Sequence, residues 1–191
     1  MVNNVEAAAQ IFKKQKPYDL PESNEVKRSH SLLYGETAFK TAGILLEKYT
    51  RPIDKIFYDL GSGIGNVVIR AALSEKFTKV TGIETVEERY QMSSNIFAKC
   101  LPLLPEKTKV ELIKGDFLQA DFSDANIVYI NAIAFNKGLM KDLQSRLAAL
   151  KPGTRIIISD QQLDPKKFSQ IDKTRLHMDY GDAEFYVYER K

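Results

Sequence analysis

The sequence predicts an α/β fold: a Rossmann-like, doubly wound seven-stranded sheet, mostly parallel, with an antiparallel strand in a C-terminal hairpin. Three observations predict it. A short apolar run, Ile53 to Leu60, has the β-branched and aromatic content of a buried strand. Three closely spaced glycines follow, Gly61, Gly63 and Gly65, and then an apolar pattern of helical period begins at Val67. Strand, glycine turn and helix in that order open a nucleotide-binding sheet. Beyond it, strand-like and helical runs alternate through five units and end in two strand-like runs close enough to form a hairpin.

Taken in order, residues 4 to 14 predict a short helix with Val5, Ala8, Ala9, Ile11 and Phe12 on one side. From Lys13 to Ser31 the chain is polar and holds Pro17 and Pro21, so residues 1–36 are read as an N-terminal helix and arm ahead of a domain over 37–191. The arm's Lys13, Lys14, Lys16, Lys27 and Arg28 suit a solvated loop or an acidic substrate. Phe39, Ala42, Leu45, Leu46 and Tyr49 recur at helical spacing and predict a helix from Thr37 to Tyr49 that leads into the first strand. Further helices are expected over Asn66 to Ser74, Val86 to Leu101 (closed by Pro102 and Pro105) and Lys137 to Leu150, the last stopped by Lys151-Pro152-Gly153. Strands are expected over Lys79 to Glu84, Val110 to Lys114, Asn126 to Ile130 and Thr154 to Ser159. The tail adds Thr174 to Asp179 and Ala183 to Glu189, split by Gly181-Asp182.

Composition narrows the class. A chain of 191 residues, 43% hydrophobic and 28% charged, is ordinary for a globular protein with one sizeable core. The net charge of +3 is compatible with an acidic partner without demanding one. A single cysteine, Cys100, excludes an internal disulfide framework, and the isolated His30 and His177 do not make a metal site. No basic region followed by an apolar one marks a signal peptide, and no run approaches the roughly 18 apolar residues of a membrane span. The expected setting is a reducing, cytoplasmic compartment, with a nucleus also compatible.

The glycine turn lacks the Gly-Lys-Ser or Gly-Lys-Thr of a phosphate loop, and Asp59 stands two residues before its first glycine. A carboxylate there suits a cationic ligand end, such as the ammonium of a methionine moiety, and sits badly beside a pyrophosphate. Glu84 closes the next strand about 20 residues on, where an acidic side chain accepts from both ribose hydroxyls. After the third strand come Asp116, suited to accept from an adenine amino group, and Phe117, suited to cover the ring. Three such signals in order, each at a strand's C-terminal end, point to S-adenosylmethionine.

With these residues placed, the chain resembles one branch of the class I methyltransferases, the disruptor-of-telomeric-silencing type histone H3 lysine methyltransferases. The matching segments are Tyr34-Gly35-Glu36-Thr37, DLGSGIGNVV at 59 to 68, Gly82-Ile83-Glu84, Gly115-Asp116-Phe117-Leu118 and INAIAF at 130 to 135. By themselves, Tyr34 to Thr37 would read as helix-capping chemistry. The resemblance instead implies that this turn closes over the methionine end of the cofactor, with Tyr34, Glu36 and Thr37 at the site. It implies that Asp59, Gly61, Gly63 and Asn66 hold the same end, Glu84 the ribose, and Asp116 with Phe117 the adenine. Asn131 would lie beside the transferred methyl, and Phe135 would wall a lysine channel.

Three departures stand beside the match. Asn66 replaces the family's usual glutamine, and Ala132 its usual second asparagine. The family's large N-terminal helical region and lysine-rich tail have no counterpart in these 191 residues. Aromatics for the channel would come from the C-terminal hairpin, where Tyr180, Phe185 and Tyr186 are the candidates.

Methyl transfer from a sulfonium is an in-line displacement that draws mainly on proximity, orientation and a dry site. A lysine desolvated in an aromatic channel shifts toward its neutral, nucleophilic form, so neither a histidine nor a paired carboxylate is required as base. Asn131, with Tyr34 second, is the polar group expected to orient the amine. The plainer alternative for Asn131 is an asparagine satisfying loop backbone groups at a strand end. Asn131 to Phe135 also loosely resembles the Asn-Pro-Pro-Tyr loop of adenine and glutamine N-methyltransferases. Three functions therefore stay open: methylation of a protein lysine, on a basic or histone-like substrate; methylation of a nucleic acid base or small molecule; and cofactor binding without catalysis.

Overall fold

The computed structural model describes residues 3–16, 35–178 and 180–191. Its seven strands are β1 (Ile56–Leu60), β2 (Lys79–Glu84), β3 (Lys109–Lys114), β4 (Ile127–Ile130), β5 (Arg155–Ser159), β6 (Phe168–Met178) and β7 (Gly181–Arg190). They form one sheet in the order β3-β2-β1-β4-β5-β7-β6. Every pairing among β1 to β5 is parallel, and β7 runs antiparallel to both of its neighbours. The helices are α1 (Asn4–Lys13), α2 (Phe39–Tyr49), α3 (Asn66–Ala72), α4 (Glu87–Cys100) and α5 (Lys137–Ala148).

The period of two along each central strand decides which helix covers which face. In β4, Val128 and Ile130 join Tyr58, Leu60, Ile156 and Ile158 under Met140, Leu143 and Leu147 of α5. Ile127 and Tyr129 join Phe57, Ile157 and Val187 on the opposite face, under Leu45 and Leu46 of α2 and Val68, Ala71 and Ala72 of α3. Ala8 and Phe12 of α1 pack outside that layer on Ile69 of α3 and Ile96 and Cys100 of α4. Burying each large apolar side chain contributes about 1.5 to 3 kcal/mol, so both faces are needed to hold the sheet.

Local chemistry sets the helix starts. Asn3 caps α1 by accepting from the Val5 N–H at 3.0 Å, and Asn136 caps α5 by accepting from the Leu139 N–H at 2.9 Å. Helix α3 begins directly after Gly65, whose φ of 90° is a left-handed conformation that favours glycine.

Two expectations need correction. The strand-helix alternation is not complete, because β3 passes to β4 through turns over residues 115–126 rather than a helix. That stretch closes one turn with the Gln119 and Ala120 N–H groups donating to the Asp116 carbonyl and a second with the Ala125 N–H donating to the Phe122 carbonyl, and Phe122 and Ala125 drop into the core. The first hairpin strand starts at Phe168, six residues before the expected Thr174, and Gly181 and Asp182 belong to β7 rather than to the turn. Residues 168–173 look polar because β6 is an edge strand whose side chains mostly face water.

This topology prepares one crevice. Strand order reverses between β1 and β4, so the connections from their C-terminal ends leave in opposite directions and open a gap there.

Candidate active site

The cleft at that gap is lined by Gly35, Glu36, Thr37, Asp59, Gly61, Ser62, Gly63, Asn66, Val67, Tyr129 and Asn131. Parallel strands deliver Asp59 from β1 and Tyr129 from β4, which are register partners. The glycine turn delivers the rest of the floor: Gly61, Gly63 and Gly65 all have positive φ, which lets the backbone curl under a ligand.

Asp59 is 2% exposed. Burial first, and the neighbouring charge of Glu84 second, push its carboxyl well above the usual carboxylate range. Among the described residues no cation offsets that burial. Glu84, also buried, accepts from the Gly63 N–H at 2.8 Å through one carboxylate oxygen and from the Val86 N–H at 2.7 Å through the other. Those bonds lock the glycine turn to the end of β2.

The turn Gly35-Glu36-Thr37 roofs the cleft and is pinned on both sides. On the α3 side, Asn66 Nδ2 donates to Glu36 Oε1 at 2.7 Å and to the Thr37 carbonyl at 3.1 Å. On the β4 side, the Thr37 and Tyr129 hydroxyls share a hydrogen bond of 2.5 Å, and Asn131 Nδ2 donates to the Gly35 carbonyl at 2.6 Å. Burial pushes the Tyr129 phenol well above its ordinary value, so it stays protonated. A side chain at Gly35 has no room, since a Cβ there would lie 2.8 Å from Tyr180 Cε1 and 3.1 Å from Ile133 Cγ2.

Of the expected residues, Glu36, Thr37, Asp59, Gly61, Gly63, Asn66 and Asn131 meet in the cleft. Glu84 touches it through Gly63. Phe117 and Phe135 stack with centroids 5.7 Å apart, and the Phe135 ring lies 3.9 Å from where a Gly61 Cβ would stand, so they extend one wall. Asp116 is exposed beyond the cleft lining, and its Oδ1 accepts from the Leu118 N–H at 2.8 Å. Tyr34 lies outside the described residues. Among the hairpin aromatics only Tyr180 reaches the site, donating to Asn131 Oδ1 at 3.2 Å. Phe185 is fully buried against Tyr129, and Tyr186 is packed in the α5-side core.

Sequence reasoning missed Tyr129, Ser62 and Ser159. Ser159 Oγ donates to Asn131 Oδ1 at 2.7 Å and accepts from the Ala132 N–H at 2.9 Å. Its signal was available: it ends a parallel strand, where site residues gather. Tyr129 gave none, because an aromatic inside an apolar strand reads as core.

The arrangement fits S-adenosylmethionine on the chain's own evidence. Among the described residues no cation faces the buried Asp59 carboxyl, which suits a cationic ligand, and the buried Asn66 Oδ1 lacks a hydrogen-bond partner there too. The glycine turn leaves the backbone open to close approach.

Sheet order, glycine turn and acidic strand ends together define the class I methyltransferase fold. Solved structures agree on the fold: an RNA methyltransferase from Salinibacter ruber with S-adenosyl-L-homocysteine matches with a TM-score of 0.60, 24% identity, 90% of this chain and 94% of its own. A putative RNA methyltransferase from Pyrococcus horikoshii matches with a TM-score of 0.68 at 14% identity, over 100% of this chain and 98% of its own. The family model described as histone methylation protein DOT1 matches residues 19–183, and the chain belongs to that family. It is 30% identical over 149 residues, 74% of its length, to the H3 lysine-79 specific histone-lysine N-methyltransferase of Drosophila melanogaster. It is 30% identical over 148 residues, 73% of its length, to a protein-lysine N-methyltransferase of Saccharolobus islandicus. The chain spans 8% of the length of the fly protein and 84% of the archaeal one.

Proposed function

We propose that this protein transfers the methyl group of S-adenosylmethionine to the side-chain amine of a lysine in a protein substrate. The observation that carries the reading is the buried Asp59, whose carboxyl no cation among the described residues offsets, beneath the Gly35 to Thr37 roof, in a chain whose DOT1-type match spans both. The acceptor class is supported by the fly and archaeal relatives, both named as lysine methyltransferases. Basic, histone-like proteins are the first substrates to try.

When bound, S-adenosylmethionine supplies an electrophilic methyl on a positively charged sulfur. Asp59 and Glu84 set two buried carboxyl groups at the cleft, and a cationic ligand draws Asp59 to the charged form that burial otherwise opposes, beneath a roof tied down on both sides. Ile133, 44% exposed, and Tyr180 lie beside Gly35, Tyr180 also beside Asn131, and Phe135 lies beside Gly61, which makes these three the groups an incoming side chain would pass. A lysine amine desolvated there loses its proton more readily, which is the form that attacks. The protonated Tyr129 phenol, already shared with Thr37, is not suited to act as a base.

Incubation with radiolabelled S-adenosylmethionine and separate pools of histones, lysate proteins, RNA and metabolites tests the reading. Label recovered as methyl-lysine after acid hydrolysis is expected. Label confined to RNA or metabolites would replace lysine with another acceptor, and binding without label in any pool would leave a cofactor-binding protein.

A further inference from the structure

We infer that Ser159 is a positioning residue that acts through Asn131, fixing which end of its amide faces the roof and so holding the roof shut. The inference rests on the reading of the cleft as the methyltransferase site, because the roof matters through what it covers.

The hydrogen bonds run in one direction. The Ala132 N–H donates to Ser159 Oγ, so the serine hydroxyl is left to donate, and it does so to Asn131 Oδ1 at 2.7 Å. Tyr180 donates to the same oxygen at 3.2 Å. With both lone-pair directions of Oδ1 engaged, the amide nitrogen must face the other way, and there it meets the Gly35 carbonyl at 2.6 Å. A flipped amide would set two carbonyl oxygens against each other at that distance and lose the serine as donor. Ser159 is fully buried and is not among the residues that line the cleft. Its influence therefore passes through the amide.

Without Ser159, the Ala132 N–H and Asn131 Oδ1 each lose a partner, and the amide is held only by the longer Tyr180 bond and by the Gly35 carbonyl, so it swings over a wider range. The Gly35 carbonyl is then held for only part of the time, and the roof opens on that side. The Asn66 and Tyr129 ties remain, so the turn loosens without unfolding.

The test is amide hydrogen exchange across residues 35–38 in the ligand-free protein, for wild type, Ser159→Ala, Asn131→Ala and the double variant. Each single change is expected to speed exchange by about fivefold or more, the equivalent of one hydrogen bond, with the double no faster than Asn131→Ala alone. Titration with S-adenosylhomocysteine should show the same pattern, a loss of affinity of about five- to tenfold in either variant that does not multiply in the double. Factors that multiply, or Ser159→Ala exchanging like wild type while Asn131→Ala is fast, would overturn the inference. Ser159→Cys, which keeps a weak donor at near-equal size, should fall between wild type and alanine, and it serves if Ser159→Ala does not fold. A wild-type protein that fails to bind S-adenosylhomocysteine sinks the methyltransferase reading alone, since the exchange comparison needs no ligand.

Discussion

Asp59 is buried at a cost to the free protein. Its carboxyl is raised by burial, so between its ordinary pKa and its elevated folded-state value the folded chain carries a proton that the unfolded chain has lost. Folding stability therefore falls as pH rises through that window. Asp59→Asn should remove that slope and raise the melting temperature of the ligand-free protein at neutral pH. The same change should weaken S-adenosylhomocysteine binding by about 1 to 3 kcal/mol, the usual loss for a hydrogen bond to a charged group. Thermal melts across pH, paired with calorimetric titration, check both, and parallel pH profiles for the two proteins would show that Asp59 is not the group responsible. The residue scale was the most legible in the sequence. Asp59 stands one residue before the end of β1, Glu84 ends β2 and Asn131 follows β4, and the position of a carboxylate relative to a glycine turn is a local fact.

At the scale of the element, α3 and β2 must approach closely enough for the glycine turn to close between them. Gly82 makes that contact possible, because a Cβ there would lie 2.6 Å from Val68 Cγ2 and 2.8 Å from Ser62 Oγ. Both neighbours are buried, so neither swings aside freely. Gly82→Ala should destabilise the protein by about 1 to 3 kcal/mol through overpacking, measured by urea denaturation. It should also weaken cofactor binding, since Ser62 and Gly63 ride on the same turn; a variant as stable as wild type would mean that α3 can shift outward. Helix and strand existence was legible wherever apolar period and punctuation agreed, as for α5 between its Asn136 cap and Pro152. It was not legible in the first half of β6, residues 168–173, where an edge strand shows water a run of mostly polar side chains that no periodicity separates from a loop.

Over the whole molecule, the cleft is built from segments that are distant in sequence, and its ligand should bridge them. Residues from the 35–37 roof, β1, α3 and β4 meet in it, so occupancy should stabilise the fold as a unit. At a hundred times its dissociation constant, S-adenosylhomocysteine is expected to add about 2.7 kcal/mol to the unfolding free energy. The shift is read as a ligand-dependent rise in melting temperature, and adenosine triphosphate at equal concentration should give none. A shift with the triphosphate alone would identify a different ligand class.

The sequence by itself determined the α/β class, the glycine turn and the acids at the strand ends, and through its resemblance to a known family most other residues in the cleft. These are written in local spacing: a strand's length, a helix's period, an acid at a strand end. Only the tertiary structure decided that Tyr180, and neither Phe185 nor Tyr186, stands beside Asn131, and that Tyr129 and Ser159 belong to the site. The physical reason is that hydrogen-bond direction and side-chain reach across parallel strands depend on register and sheet order. Neither quantity is carried by any one stretch of the chain, and both exist only once β1, β4, β5 and β7 lie side by side.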